Sequence, residues 1–190
     1  MPATRAETSS PRYDRTAAAI LDAAARTLAE HGGSANMAEV AAAAGVSRAT
    51  LYRYYPSREA LLEALATEAL AEAGARIADA GLERAPIDEA IGRIVRALIA
   101  VGDRYAVLIH EQVEPNPDEI ERTIAAPIRA VLTRGVDSGR LRDDIPAEVL
   151  HELFGGLLAA AVKIISRRLL GLEETAAATT ALFLEGARPR

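Results

Sequence analysis

The chain has 190 residues, half of them apolar, and carries a formal net charge of −5. This length is enough to bury a substantial core, and the absence of Cys excludes disulfide scaffolds, thiolate metal sites and cysteine nucleophiles. The longest uncharged apolar run, 153–162, is about half as long as a membrane span requires. We therefore expect a cytoplasmic protein. Residues 1–58 carry seven Arg against five acidic residues. The front of the chain is therefore better suited to bind an anionic partner than the rest.

The N-terminal segment is polar and contains two Pro, and it shows no periodicity. We expect residues 1–13 to form a flexible arm. Apolar residues then recur at helical spacing, which predicts a helix that begins with Asp14 as its N-cap and ends at His31, before two Gly.

Two short helices are predicted next. Asn36 with Glu39 three residues later forms a capping box for one helix, which Gly45 ends. Ser47 caps the other, which runs to about Tyr55 before a Pro. Three short helices, the last two joined by a tight turn that contains Gly, are typical of a helix-turn-helix module. We assign this module to residues 14–56.

The rest of the chain, 57–190, reads as a larger helical domain without strand-like alternation. Its predicted helices cover approximately 57–81, 86–101, 103–113, 118–138, 146–170 and 173–184, and Pro127 must kink or split the fourth of them. The predicted fold is therefore all-α, with about nine helices.

The third helix has the composition of a DNA recognition helix. Residues 48–55 contain three Tyr, two Arg and a Thr. Leu51 and Tyr55 lie four residues apart and are expected to face inward. The remaining side chains then face outward, where a recognition helix contacts base edges and phosphates.

The run AGVSRATLYRYYPSREAL, 44–61, resembles the DNA-binding module of TetR-family transcription regulators, and ILDAAARTLAEHG, 20–32, is similar to the first helix of that module. The resemblance covers about residues 15–65. It implies a homodimer that binds a palindromic operator on double-stranded DNA. It also implies that the dimer releases this operator when a small molecule enters the C-terminal domain, which is then the ligand-binding and dimerisation domain.

The resemblance implies specific DNA contacts. Arg48 is the candidate for base readout, since Arg pairs bidentately with guanine. Arg58 stands where the family usually has Lys and is expected to pair with a phosphate. Tyr55 replaces the usual Phe, so its hydroxyl needs a partner. The DNA-binding candidates are Asn36, Ser47, Arg48, Ala49, Thr50, Tyr52, Arg53, Tyr54 and Arg58.

The helix predicted over 146–170 is apolar nearly all round between Leu153 and Ile165 and must be covered on more than one side. We expect a second copy to cover it, in a two-fold interface of four helices built from the last two helices of each chain. The alternative is a central core helix of a monomer. The interface candidates are Phe154, Leu157, Leu158, Ala161, Ile165, Leu182 and Phe183.

In proteins of this family, the helices that correspond to those predicted between 57 and 138 enclose the ligand. Many Ala, Ile and Leu predict an aliphatic cavity and a hydrophobic or amphipathic ligand. Each pocket candidate has a plain alternative as a core or surface residue. The candidates are Arg104, Tyr105, His110, Gln112 and Phe154.

Enzymatic chemistry is not expected. The sequence His110-Glu111-Gln112-Val113-Glu114 lacks the second His of a metalloprotease pair, and neither a Gly-rich phosphate loop nor a Gly-x-Ser-x-Gly elbow occurs. We expect no metal site and no cofactor. Two alternatives remain: a ligand-binding helical dimer without DNA recognition, and a helical metal-dependent enzyme.

Overall fold

The computed structural model describes residues 11–31, 35–102, 113 and 116–189. Within these ranges it contains eight helices and no strand, which confirms the predicted all-α fold. The sixth helix, α6, is continuous through three segments. The helices are α1 Pro11–His31, α2 Met37–Ala43, α3 Arg48–Tyr54, α4 Arg58–Asp79, α5 Ile87–Ile99, α6 (Pro117–Ile120, the π-helical turn Glu121–Ala125 and Ala126–Asp137), α7 Ala147–Ser166 and α8 Leu172–Ala187. The helix predicted over 103–113 lies outside the described residues, except for its last position.

Side-chain caps fix where the short helices begin. The Asn36 Oδ1 accepts hydrogen bonds from the backbone N–H groups of Ala38 and Glu39, at 2.9 and 3.1 Å. The Glu39 carboxylate accepts the backbone N–H of Asn36 at 2.9 Å, which completes the predicted capping box. Ser47 and Ser57 cap α3 and α4 through their hydroxyls. These helix starts therefore agree with the sequence prediction.

The end of α7 differs from the prediction, because the helix ends at Ser166 rather than near Leu170. Arg168 adopts a left-handed backbone conformation with φ 54°. Its N–H bonds the carbonyl of Ile165 at 2.8 Å, and the N–H of Leu169 bonds that of Ile164 at 3.1 Å. This is a Schellman motif, in which Gly usually occupies the left-handed position.

Proline explains two other departures. The first helix begins at Pro11, three residues before the predicted Asp14, because Pro is tolerated in the first turn of a helix. Residues 11–13, which were expected in the flexible arm, therefore belong to the helix, and residues 1–10 lie outside the described part. Pro127 does not split its helix. The π-helical turn just before it accommodates the missing N–H and the ring, and the helix continues.

Two separate apolar clusters form the core, and α4 crosses both of them. The front cluster joins α1, α2 and α3 to the first half of α4, and the back cluster joins its second half to α5, α6, α7 and α8. The second half also lies close to α6, since a Cβ on Gly74 would lie 3.0 Å from the Cβ of Thr123. The buried α4 residues in the front cluster are Leu61, Leu62, Leu65, Ala66 and Ala69, and those in the back cluster are Leu70, Ala73 and Ile77.

One side of α7 packs on its own chain, and this corrects part of the predicted interface. Phe154 has no exposed surface and stacks at a tilt against Phe183. Leu158 and Ala161 are buried on the same side of the helix. Placing Phe154, Leu158, Ala161 and Phe183 in an interface between copies was therefore wrong, because a side chain enclosed by its own core cannot reach a partner.

The exposed side of α7 is largely apolar, although it also carries Glu152 and Lys163. Leu153 keeps 55% of its surface exposed and Leu182, on α8, keeps 64%. Apart from Tyr52, every large apolar residue that is exposed in the described part lies on α7, on α8 or between them: Val149, Leu153, Leu169, Leu170, Leu172 and Leu182. By length and composition α7 also suffices to cross a membrane, which the short uncharged run did not predict.

Candidate nucleic-acid interface

The third helix is held on the front core by its apolar side and by the turn before it. Gly45 has φ +66°, a left-handed conformation that favours Gly, and the N–H of Val46 bonds the carbonyl of Ala41 at 3.0 Å. Leu51 is fully buried. The tight turn therefore fixes how α3 leaves α2, and Leu51 fixes which side of α3 faces the core.

Tyr55 ends α3 and contacts α1. Its ring is buried in the front core, and its hydroxyl donates a hydrogen bond to the carbonyl of Ala17 at 3.4 Å. This contact supplies the partner that a Tyr in place of Phe requires.

The outward side of α3 consists of Arg48, Ala49, Tyr52 and Arg53, all of them exposed. Tyr52 keeps 47% of its surface exposed although it is aromatic. The Arg53 guanidinium lies 5.5 Å above the ring of Tyr54, which is half-buried against the front core. Two Arg and one exposed Tyr thus share the helix face that points away from the core.

Two hydroxyl groups meet at the start of α3. The Ser47 Oγ accepts the N–H of Thr50 at 3.1 Å and lies 2.9 Å from the Thr50 Oγ1. Both residues therefore stabilise the helix start, in addition to any contact with DNA.

Four of the nine candidates line one groove. The groove has a volume of about 500 Å³ and lies between the start of α2, the exposed side of α3 and the start of α4. Asn36, Arg48, Tyr52 and Arg58 line it together with Ala35, Met37 and Ala38. The structure thus brings together candidate residues that are up to 22 positions apart in the sequence, Asn36 and Arg58. Ser47, Ala49, Thr50, Arg53 and Tyr54 are not among the residues that line this groove.

Arg58 has a contact that sequence reasoning did not predict. Its guanidinium Nη1 donates a hydrogen bond to the backbone carbonyl of Ala35, and the side chain is half-buried. The two residues lie 23 positions apart, so no local pattern indicates this pair.

One acidic residue beside the groove stays ionised to lower pH than usual. The pKa of Glu59 is lowered by hydrogen bonds from its own backbone N–H and from the Ser57 hydroxyl, with a smaller contribution from the charge of Arg58. A carboxylate in the first turn also interacts favourably with the helix dipole of α4. Glu59 thus stabilises the start of α4.

The back domain is described less completely. The predicted pocket residues Arg104, Tyr105, His110 and Gln112 lie outside the described residues, and Phe154 is part of the back core. A cavity of about 280 Å³ lies between α4 and the start of α6, lined by Glu63, Ala66, Thr67, Leu70, Val113, Asn116 and Glu119. Among the residues that the structure places, no three His, Asp or Glu side chains are arranged to hold a metal ion.

Comparison with known proteins agrees with this geometry. Residues 20–65 match the sequence profile of a family described as "Bacterial regulatory proteins, tetR family". The HTH-type transcriptional repressor LfrR of Mycolicibacterium smegmatis is 41% identical over 98 residues, which are 52% of this chain and 51% of LfrR. This sequence match spans about half the length of that repressor.

The fold match is more extensive. A crystal structure of LfrR in complex with proflavine has a TM-score of 0.75 and 29% identity, and the match covers 90% of this chain and 96% of that chain. A second crystal structure of LfrR has a TM-score of 0.63 and 30% identity, and this match covers 88% of this chain and 97% of the LfrR chain. The front module and the back domain therefore share one arrangement with a transcriptional repressor.

Proposed function

Because this chain is a DNA-binding transcriptional regulator of the tetR family, we propose that it acts as a homodimeric repressor that binds a palindromic operator and releases it when a small molecule binds the back domain. The observation that carries this proposal is the outward side of α3. It presents Arg48, Tyr52 and Arg53 to the outside on a helix that the front core holds from behind.

The DNA interaction is proposed to place α3 in the major groove. Arg48 reads a base edge, while Tyr52 and Asn36, at the adjoining groove, contact the phosphate backbone. Phosphate contacts supply much of the affinity of such complexes, so binding should weaken as the salt concentration rises. Residues 59–190 carry a negative net charge, which disfavours nonspecific contact between the back domain and DNA.

The second copy is proposed to cover the exposed apolar side of α7 and α8. Leu153 and Leu182 are the most exposed large apolar side chains of these two helices, and added Cβ atoms on Gly155 and Gly156 would meet nothing within 4 Å in this chain. A helix from the partner can therefore approach closely. Because a two-fold interface uses the same surface on both chains, it matches two half-sites of a palindrome.

A partner copy explains α7 better than a membrane does. The buried side of α7 packs on α6 and α8 of its own chain. Glu152 and Lys163 are exposed on the same helix, and charges are costly inside a bilayer. We therefore propose that the protein is cytoplasmic.

The effector is proposed to be a small hydrophobic or amphipathic molecule. LfrR, which shares this fold, has been crystallised in complex with proflavine. The residues proposed to contact the effector are Arg104, Tyr105, His110, Gln112 and Phe154. No catalytic role is proposed, since the relatives are transcriptional regulators.

Effector binding and operator binding are proposed to be coupled through α4. This helix contributes to both cores, and it follows α3 after only three residues. A shift of α4 on effector binding would change the separation of the two recognition helices. A thousandfold loss of operator affinity requires a coupling free energy of about 4 kcal/mol.

The proposal is tested by fluorescence anisotropy with DNA from immediately upstream of the gene and with scrambled DNA of the same length, at one near-physiological salt concentration. We expect the upstream DNA to bind about a thousandfold more tightly or better. Equal, weak binding to both would place the operator elsewhere, and selection from a random pool would then locate it. If neither DNA binds even at low salt, the chain is instead a ligand-binding dimer without DNA recognition.

A further inference from the structure

Arg58 lies in the first turn of α4 and lines the groove described above, and its hydrogen-bond partner belongs to the same chain. Its guanidinium donates to the carbonyl of Ala35, a residue that is 2% exposed. A buried carbonyl requires a hydrogen-bond donor, and Arg58 provides one. Arg58 therefore connects the start of α4 to the residue that precedes the N-cap of α2.

This connection acts on the groove through Asn36. Asn36 follows Ala35 directly and forms the capping box that starts α2, and its side chain lines the groove together with Arg48 and Tyr52. A displacement of Ala35 relative to α4 would move Asn36 relative to the exposed side of α3. Loss of the hydrogen bond from Arg58 would therefore change the width of the groove at the α2 end.

We propose that Arg58 is a positioning residue for DNA recognition, which ties the start of α2 to α4, and not a phosphate contact. This inference rests on the proposed DNA-binding function. It replaces the role that the sequence resemblance implied for this position. It also means that α4, which reaches into the back core, holds α2 directly as well as through α3.

The first arm of the test uses the protein without DNA. Arg58→Met removes the donor while it keeps an unbranched side chain, and Arg53→Met removes one Arg from the exposed side of α3 as the matched control. Amide hydrogen exchange is measured at Ala38 and Glu39, relative to buried α1 amides such as that of Ala24. We expect about fivefold faster relative exchange in Arg58→Met and no change in Arg53→Met, as for the loss of one hydrogen bond. Unchanged exchange in Arg58→Met would overturn the inference, since a phosphate contact has no effect in the absence of DNA.

The second arm measures operator affinity as a function of salt concentration. We expect Arg58→Met to bind about fivefold more weakly, with the same slope of log affinity against log salt as the wild type. A phosphate contact predicts a slope that is smaller by about 0.9. A reduced slope would overturn the inference whatever the exchange result.

Arg58→Lys keeps the positive charge and replaces Arg58→Met if that variant does not fold. A phosphate contact predicts wild-type exchange and nearly wild-type affinity for Arg58→Lys. The positioning role predicts faster exchange at Ala38 and Glu39, because an ammonium lacks the planar, directional donors of a guanidinium. If the wild type itself does not prefer any operator, the proposed function fails, while the exchange arm still decides whether Arg58 holds α2.

Discussion

The rings of Phe154 and Phe183 lie with their centroids 4.6 Å apart and their planes tilted by 52°, and this contact joins α7 to α8 within one chain. Both side chains are buried in the back core. The neighbouring Leu153, one position earlier on the same helix, keeps 55% of its surface exposed. Consecutive residues of one helix thus serve two different surfaces, and substitutions at them should have different effects.

Replacing Phe154 should destabilise the fold. Phe154→Ala removes a fully buried aromatic side chain and leaves a cavity, so we expect the free energy of unfolding to fall by about 3–5 kcal/mol. Urea unfolding followed by circular dichroism measures this change. The control Phe154→Leu retains most of the volume and should cost less than about 1.5 kcal/mol. Equal stability of Phe154→Ala and wild type would show that the ring does not pack as described.

Replacing Leu153 should instead affect assembly. Leu153→Arg places a charge on the exposed apolar side of α7 without entering the chain's own core, so we expect folded monomers and loss of operator binding. Light scattering coupled to size exclusion measures the mass. The control Ala78→Arg adds the same charge on the exposed surface of α4 and should remain a dimer. A dimeric Leu153→Arg protein would contradict the proposed interface.

Arg48 and Tyr52 should differ in how they affect sequence preference. Arg48→Ala should relax specificity at one base position in each half-site, at a cost of about 1–3 kcal/mol on the preferred sequence. Tyr52→Phe removes only a hydroxyl and should weaken binding evenly across sequences. Affinities for a set of operators with single base changes separate the two behaviours. An even loss for Arg48→Ala would rule out base readout by this residue.

The left-handed residue at the end of α7 predicts a stabilising substitution. Arg168 has φ 54°, where a Cβ is unfavourable and Gly is not. Arg168→Gly should raise the free energy of unfolding by about 0.5–1 kcal/mol, after the greater chain entropy of unfolded Gly is taken into account. Arg168→Ala keeps the Cβ and should show no such gain. The two variants are compared by urea unfolding, and a less stable Arg168→Gly would contradict the Schellman motif.

The ion pair between Glu121 and Arg129 predicts a pH dependence. The Arg129 guanidinium donates to both Glu121 carboxylate oxygens, at 2.7 and 3.1 Å, and this hydrogen bonding lowers the pKa of Glu121. Since the folded-state pKa lies below the ordinary value of 4.5, the stabilisation is present above that pH and disappears as the pH falls through the folded-state pKa.

Urea midpoints of wild type and Glu121→Gln, measured at pH 7 and pH 3, test this dependence. We expect wild type to have the higher midpoint at pH 7 and the gap between the two midpoints to be smaller at pH 3, because the pKa of Glu121 is lowered in the folded state. The gap at pH 7 should be small, because the pair is largely exposed. Arg129→Met should behave like Glu121→Gln. A gap that is the same at both pH values would contradict the assignment.

The front of the fold was predictable because its determinants are local. Asn36 with Glu39, and the hydroxyls of Ser47 and Ser57, bond backbone groups within three residues, so their spacing in the sequence indicates the helix starts. The exposed side of α3 followed from the inward positions of Leu51 and Tyr55. The contacts that the exposed side chains of α3 make with DNA remain predictions.

Tertiary contacts were less accessible from the sequence. A helix that is apolar on all sides carries no periodicity to show which side faces its own core, and this explains the wrong assignment of Phe154, Leu158, Ala161 and Phe183 to the interface. The contact between Arg58 and Ala35 joins the first turn of α4 to the non-helical segment before α2, 23 positions away. The end of α7 carries no Gly as a stop signal, and its left-handed residue is an Arg.

The division of α4 between the two cores limits how the chain can be dissected. Five buried residues of the front core lie after Pro56, the last of them Ala69. A DNA-binding fragment that ends at residue 56 would therefore lose three turns of its own core and the Arg58 donor to Ala35. The smallest fragment able to retain the recognition surface extends through Ala69. Such a fragment would end in the middle of α4.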